Sequence, residues 1–122
     1  MTTREAVIEF TIHIARDPGA KDLGPVQVRA FVLGLMRNAA TLDRLAVEQC
    51  NRPWTDKDER ARAAARGRAD AIAAQIGAEC EHGNDPRGAV LQLRLKGRAN
   101  TSFGGNAGTS DAWVCVPVWV KA

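Results

Sequence analysis

The sequence has little of what common enzyme sites are built from. Only two histidines occur, His13 and His82, and no serine elbow or pair of carboxylates stands at a telling position. The glycine-rich stretch 104–109 is not followed by the lysine that a phosphate-binding P-loop requires. Cys80 stands two residues before His82, but this spacing matches no standard zinc site and suits a nucleophile–base pair poorly. The sequence therefore predicts no enzyme, no cofactor and no metal site.

Disulfide and membrane signals are also scarce. The three cysteines cannot all pair, and a disulfide framework is not expected in a reducing compartment. No apolar run approaches the roughly 18–20 residues that span a bilayer, and the first residues lack the apolar stretch of a signal peptide. A chain of 122 residues suits one domain with one core. We therefore expect a single cytoplasmic domain, residues 1–122, with no membrane partner.

Positive charge is concentrated in the C-terminal third. Residues 86–122 hold five Lys and Arg against Asp111 alone, a balance of +4. Residues 1–85 hold 12 against 13 acidic residues, a balance of −1. This asymmetry suits an anionic partner, although five charges over this length produce a modest field.

The N-terminal segment alternates between apolar and polar residues. The apolar set has the period-2 pattern of a half-buried strand, and its β-branched members favour a strand over a helix: Ile8, Phe10, Ile12 and Ile14. The turn residues at 17–19 end this predicted strand.

Two helices are predicted next. The first begins at Pro25, which suits a first helical turn, and runs to about Gln49, with Phe31, Leu35 and Leu42 on its apolar stripe. The second begins after Thr55, which forms a variant capping box with Asp58. Gly77 is the expected terminating residue.

Three strands are predicted after the helices, at about 78–82, 89–96 and 113–120. The predicted order is therefore β-α-α-β-β-β, an α+β fold with two helices packed on a small, mostly antiparallel sheet. The loop 97–112 is unusually long for a compact domain, and such loops are commonly functional or mobile. The inward residues of the last two strands should meet the first helix: Leu91, Leu93, Leu95, Val114, Val116 and Val118.

One part of the chain resembles a group of small phage and prophage proteins. The shared features are a Gln-Cys-Asn element at 49–51, an Ala-rich second helix, and a turn at 83–88 that leads into a strand. The resemblance covers about residues 28–95. Asn84 is an extra residue in the turn, and the chain beyond Gly97 is an extension. The resemblance implies a phage origin and brings no activity or catalytic residue.

The turn at 83–88 fits structural requirements more closely than functional ones. Asp85 can accept backbone hydrogen bonds, Pro86 sets φ, and Gly88 tolerates a positive φ. Only Arg87 has no structural reason to be there, so it stays a candidate contact for a phosphate or carboxylate.

The last two strands carry the main binding candidates. Arg94, Lys96 and Arg98 project from one face of the sheet, and Pro117 marks an edge or bulged strand that could support a homodimer. Alternation places Trp113 and Trp119 on one face of the last strand. That face is either exposed beside the basic residues or covered by the helices. The candidate binding residues are Arg87, Arg94, Lys96, Arg98, Trp113 and Trp119.

Two classes of function are expected. The first is a non-enzymatic, phage-derived protein-binding module, for example an anti-CRISPR-like inhibitor of a host defence or regulatory complex. The second is a small nucleic-acid-binding protein that uses a basic, tryptophan-containing sheet face. A net charge of +3 is low for sequence-independent DNA binding, which enlists several phosphate contacts, so the first class is favoured.

Overall fold

The computed structural model describes residues 2–85, 88–97 and 111–119. Within these residues the chain forms three α-helices, one short 3-10 helix and a three-stranded sheet. The elements are α1 (Thr3–Ala15), the 3-10 helix (Pro18–Asp22), α2 (Pro25–Asn51), α3 (Asp56–Ala74), β1 (Glu79–Asp85), β2 (Gly88–Leu95) and β3 (Ala112–Cys115). The α+β class is confirmed.

The first element is a helix, and the predicted strand at its position was wrong. Thr2 and Glu5 form a capping box, which satisfies free backbone N–H groups at the start of α1. Phe10 and Ile14, four residues apart, are buried against the core. The order is therefore α-α-α-β-β-β, with three helices instead of two. The apolar alternation led to the wrong prediction because residues four positions apart lie on one face of a strand and also on one face of a helix.

Helices α2 and α3 follow the prediction closely. α2 begins at Pro25, and the predicted stripe of Phe31, Leu35 and Leu42 is buried. Thr55 and Asp58 form the expected capping box at the start of α3. The buried face of α3 consists of alanines, which lets it approach α2 closely: Ala65, Ala69 and Ala73.

The sheet is antiparallel with β2 in the centre. Gly77, the predicted terminating residue, adopts a positive φ of 67° in the turn between α3 and β1, and α3 itself already ends at Ala74. β3 ends at Cys115 instead of reaching Val120, because Pro117 has no N–H to donate to a ladder. The Val116 N–H still donates to the Leu91 carbonyl at 2.8 Å.

One face of the sheet packs on the helices and forms the core. Leu91, Leu93 and Leu95 are at most 2% exposed, as predicted. Val116 is also buried, whereas Val118 is 37% exposed and leaves the core because β3 has already ended. Among the described residues, no helix has both the length and the apolar character needed to cross a membrane.

Candidate functional site

The face of the sheet opposite the helices is called the outer sheet face; it contains three of the predicted binding residues. Arg94 on β2 pairs with Glu79 on β1 and with Trp113 on β3 in one row across the sheet. Lys96 follows β2 and reaches the same Glu79. The structure therefore brings Arg94, Lys96 and Trp113 together.

The basic residues of the outer sheet face are paired with acidic ones. Arg94 donates to Glu79 at 2.7 Å and lies 3.8 Å from Glu81, and Lys96 lies 2.5 Å from Glu79. Hydrogen bonds from Lys96 and Arg94 hold the pKa of the Glu79 carboxyl below its usual value of 4.5. Two cations and two carboxylates balance, so the four side chains present no net positive charge.

Trp113 is the aromatic residue of this face. The Arg94 guanidinium lies 5.5 Å from the centre of its ring, within the range of a cation–π interaction. Trp113 is half-buried, and its neighbour Cys115 is exposed. Among the described residues, the outer sheet face therefore carries one partly exposed aromatic ring, surrounded by charged side chains that balance.

Trp119 lies on the helix side of the sheet and not beside Trp113. Its backbone N–H donates to the Met36 carbonyl at 3.3 Å, and its side chain packs against the core. The Arg37 guanidinium stacks 4.5 Å from the centre of its ring. Because β3 ends at Cys115, the alternation that predicted a shared face stops applying beyond that residue. The predicted residues Arg87 and Arg98 lie outside the described residues.

Trp119 forms one wall of an open groove between α1 and α2, which we call the helical groove. Its volume is about 610 Å³. Ile8 and Ile12 of α1 line it while remaining 50% and 46% exposed, and Leu33 of α2 lies opposite. This surface was missed because the α1 segment was interpreted as a strand. The signal that could have found it was the i, i+4 spacing of the two isoleucines.

Arginines surround the helical groove. Arg4 of α1 and Arg29 of α2 line it, and Arg37 covers Trp119. None of the three forms an ion pair with a carboxylate in the part of the chain that the structure describes. The groove is therefore apolar inside and positively charged at its rim.

Cys80 and His82 lie on the inner side of β1. The Cys80 thiol donates to the Ala69 carbonyl at 3.4 Å, and burial, aided by the nearby Asp70 charge, raises its pKa to about 12. At neutral pH the thiol is protonated, which is the poorly nucleophilic form. His82 Nε2 lies 2.9 Å from an Asp70 oxygen. The described residues contain no group of three His, Cys, Asp or Glu side chains that could hold a metal ion.

Two surfaces of the described residues are therefore candidate binding sites. The outer sheet face is charge-balanced, and the helical groove is apolar with a basic rim. No family model, curated protein or solved structure matches this chain.

Proposed function

We propose that this protein is a non-enzymatic protein-binding module and that the helical groove is its principal contact surface. The observation that carries the proposal is the exposure of Ile8 and Ile12 beside Trp119 in a groove of about 610 Å³. Contiguous exposed apolar surface is unfavourable in water and is typical of interaction sites. Tryptophan and arginine are also the residues most enriched among those that dominate binding energy at protein interfaces.

The charge arrangement of the outer sheet face does not favour a nucleic acid as its partner. Nucleic-acid binding without sequence preference relies on cations that are free to contact phosphates. On the outer sheet face, Glu79 already engages both Arg94 and Lys96. A phosphate would have to displace the Glu79 carboxylate from these two cations, and this competition weakens phosphate binding.

The proposed partner is a protein complex of a host cell. The resemblance of residues 28–95 to small phage proteins is the support for a phage origin, and a phage protein acts inside a host cell. In this proposal the protein acts in the host cytoplasm as an inhibitor of a defence or regulatory complex, in the manner of an anti-CRISPR protein.

Capture of partners from host lysate tests the proposal, with two matched variants. Ile8→Asp places a charge in the helical groove, and Val47→Asp places one at a similarly exposed helical position, 45% exposed, that does not line the groove. Wild type and Val47→Asp should capture the same proteins after nuclease treatment, and Ile8→Asp should lose them. Circular dichroism should confirm that all three proteins are folded. Partners that vanish with nuclease, or that Ile8→Asp retains, would contradict the proposal.

A further inference from the structure

The basic rim of the helical groove restricts what can occupy it. Arg29, Leu33 and Arg37 follow one another at four-residue intervals along one face of α2. These positions span two helical turns, about 12 Å. Ile8 and Ile12 repeat the four-residue spacing on α1. On α2, Leu33 stands between two arginines, and on α1, Arg4 precedes Ile8 by one turn, so each helix contributes apolar side chains and an arginine to the groove.

Arginine is costly to place beside an apolar surface that a partner will cover, unless the partner supplies an opposite charge. Among the described residues, no carboxylate lines the groove, so this part of the chain does not supply that charge at the site. A complementary occupant combines apolar side chains with acidic ones. Paired across an interface, Arg and carboxylate form bidentate, charge-assisted hydrogen bonds.

We propose that the helical groove docks an amphipathic α-helix of a partner protein, with apolar residues against Ile8, Ile12 and Trp119 and acidic residues toward the arginines. A groove between two helices suits a third helix, because side-chain ridges of one pack between those of the others. The location of the site rests on the proposed function. The inference adds the chemistry of the partner segment, which is helical, apolar on one face and acidic at its flanks.

A second copy of this chain fits the groove less well. In a twofold dimer the same surface meets itself, so the groove arginines of the two copies would come together. No carboxylate among the described lining residues would offset their repulsion. Sedimentation of the wild type and of Ile8→Asp tests this occupant. A dimer that forms through the groove and dissociates in Ile8→Asp would overturn the inference.

The partner chemistry can be tested with an unbiased peptide selection. The probe is a display library of random peptides of about 16 residues, roughly four helical turns, selected on the folded wild-type protein. We expect enriched sequences with apolar residues at positions i, i+4 and i+7 and with Asp or Glu at flanking positions. Enrichment without an acidic bias, or no enrichment at all, would overturn the inference.

A second experiment reverses the charge of the arginines at the rim of the groove. Arg4→Glu with Arg29→Glu changes two groove residues, and Lys57→Glu with Arg60→Glu makes the same total charge change on exposed positions of α3. The groove variant should bind the selected peptides at least about tenfold more weakly, and the control should bind them nearly normally. Peptides with Lys in place of their acidic residues should bind the groove variant better than they bind the wild type. An equal loss of peptide binding in both variants would mean that the peptides are attracted only by the net charge of the protein. That result would overturn the inference.

Two further outcomes separate this inference from the proposed function. If Ile8→Asp loses the lysate partners while the selected peptides are not acidic, the groove binds protein but the assigned partner chemistry is wrong. If Ile8→Asp retains the lysate partners, the proposed function itself fails. Binding of wild type to vesicles that contain anionic lipid, lost on reversal of Arg4 and Arg29, would make the groove a membrane contact and overturn the inference.

Discussion

Arg94 on β2 donates a hydrogen bond to Glu79 on β1 at 2.7 Å, across the strand boundary. The two residues are directly opposite in the antiparallel register. With Lys96 and Glu81, this pair makes a charge-balanced group of four side chains within the described part of the sheet, where the sequence of residues 88–96 by itself shows only the two cations. The basic excess of the C-terminal third is therefore an unreliable guide to where an anionic partner binds.

Removing the acidic partners of the outer sheet face should uncover its basic residues. Glu79→Gln with Glu81→Gln should elute from heparin at higher salt than the wild type, because Arg94 and Lys96 become free to contact sulfate groups. Glu9→Gln with Asp22→Asn makes the same change in net charge on other exposed residues and serves as the control. If both double variants shift elution equally, only net charge matters and the local pairing is unimportant.

Leu93 should be essential for stability. It lies in the central strand and is fully buried, so Leu93→Ala should lower the free energy of unfolding by about 2–5 kcal/mol. Its neighbour Gln92 is exposed on the outer sheet face, and Gln92→Ala should change stability little. Urea denaturation of the three proteins measures the difference. Equal midpoints for Leu93→Ala and wild type would mean that β2 is assigned to the wrong face.

The three cysteines should differ in reactivity. Cys50 and Cys115 are exposed and should react promptly with a thiol reagent at pH 8. Cys80 is partly buried, and its pKa of about 12 leaves almost no thiolate at that pH, so it should react only after denaturant is added. Mass spectrometry of labelled peptides distinguishes the sites. Rapid labelling of Cys80 in the native protein would contradict its placement against α3.

Two helical glycines should respond differently to alanine. Gly67 of α3 has no atom within 4 Å of the site of an added Cβ, so Gly67→Ala should raise stability by about 0.5–1 kcal/mol. At Gly34 of α2 an added Cβ would lie 2.8 Å from Ile72 Cδ1. Gly34→Ala should therefore gain less, and adding Ile72→Val, which removes that methyl group, should recover part of the gain. If Gly34→Ala is as stabilising as Gly67→Ala in thermal melts, α2 and α3 do not pack this closely.

The capping box of α3 should make stability depend on pH. Two hydrogen bonds from Arg52, together with the Thr55 backbone N–H, hold the pKa of Asp58 well below its usual value of 3.8. A carboxyl whose pKa is lowered on folding stabilises the protein above its unfolded pKa, and that contribution is lost as the pH falls through the folded pKa.

The melting temperature of the wild type should therefore fall more steeply between about pH 5 and pH 2 than that of Asp58→Asn. Asp56→Asn, in the same helical turn, is the matched control and should follow the wild type. Parallel pH curves for wild type and Asp58→Asn would mean that the pairing with Arg52 does not contribute to folding.

Short-range signals in the sequence predicted several elements correctly. Thr55 and Asp58 mark the start of α3, and Gly77 marks the reversal before β1, because capping and a positive φ depend on residues only a few positions apart. Leu91, Leu93 and Leu95 identify the buried face of β2 for the same reason, since alternation along one strand is a local property.

The sequence alone determined the class of fold, the two long helices, the inward face of β2 and the scarcity of common catalytic motifs. Only the tertiary structure decided that residues 3–15 are a helix. A pair four residues apart, such as Phe10 and Ile14, is compatible with the strand period and with the helix period, and only the core that buries it distinguishes the two. It also decided that Arg94 is neutralised by Glu79 and that Trp119 turns toward α2. These relationships join residues that are far apart in the chain. Strand register and helix packing bring them together, and no local sequence pattern encodes either one.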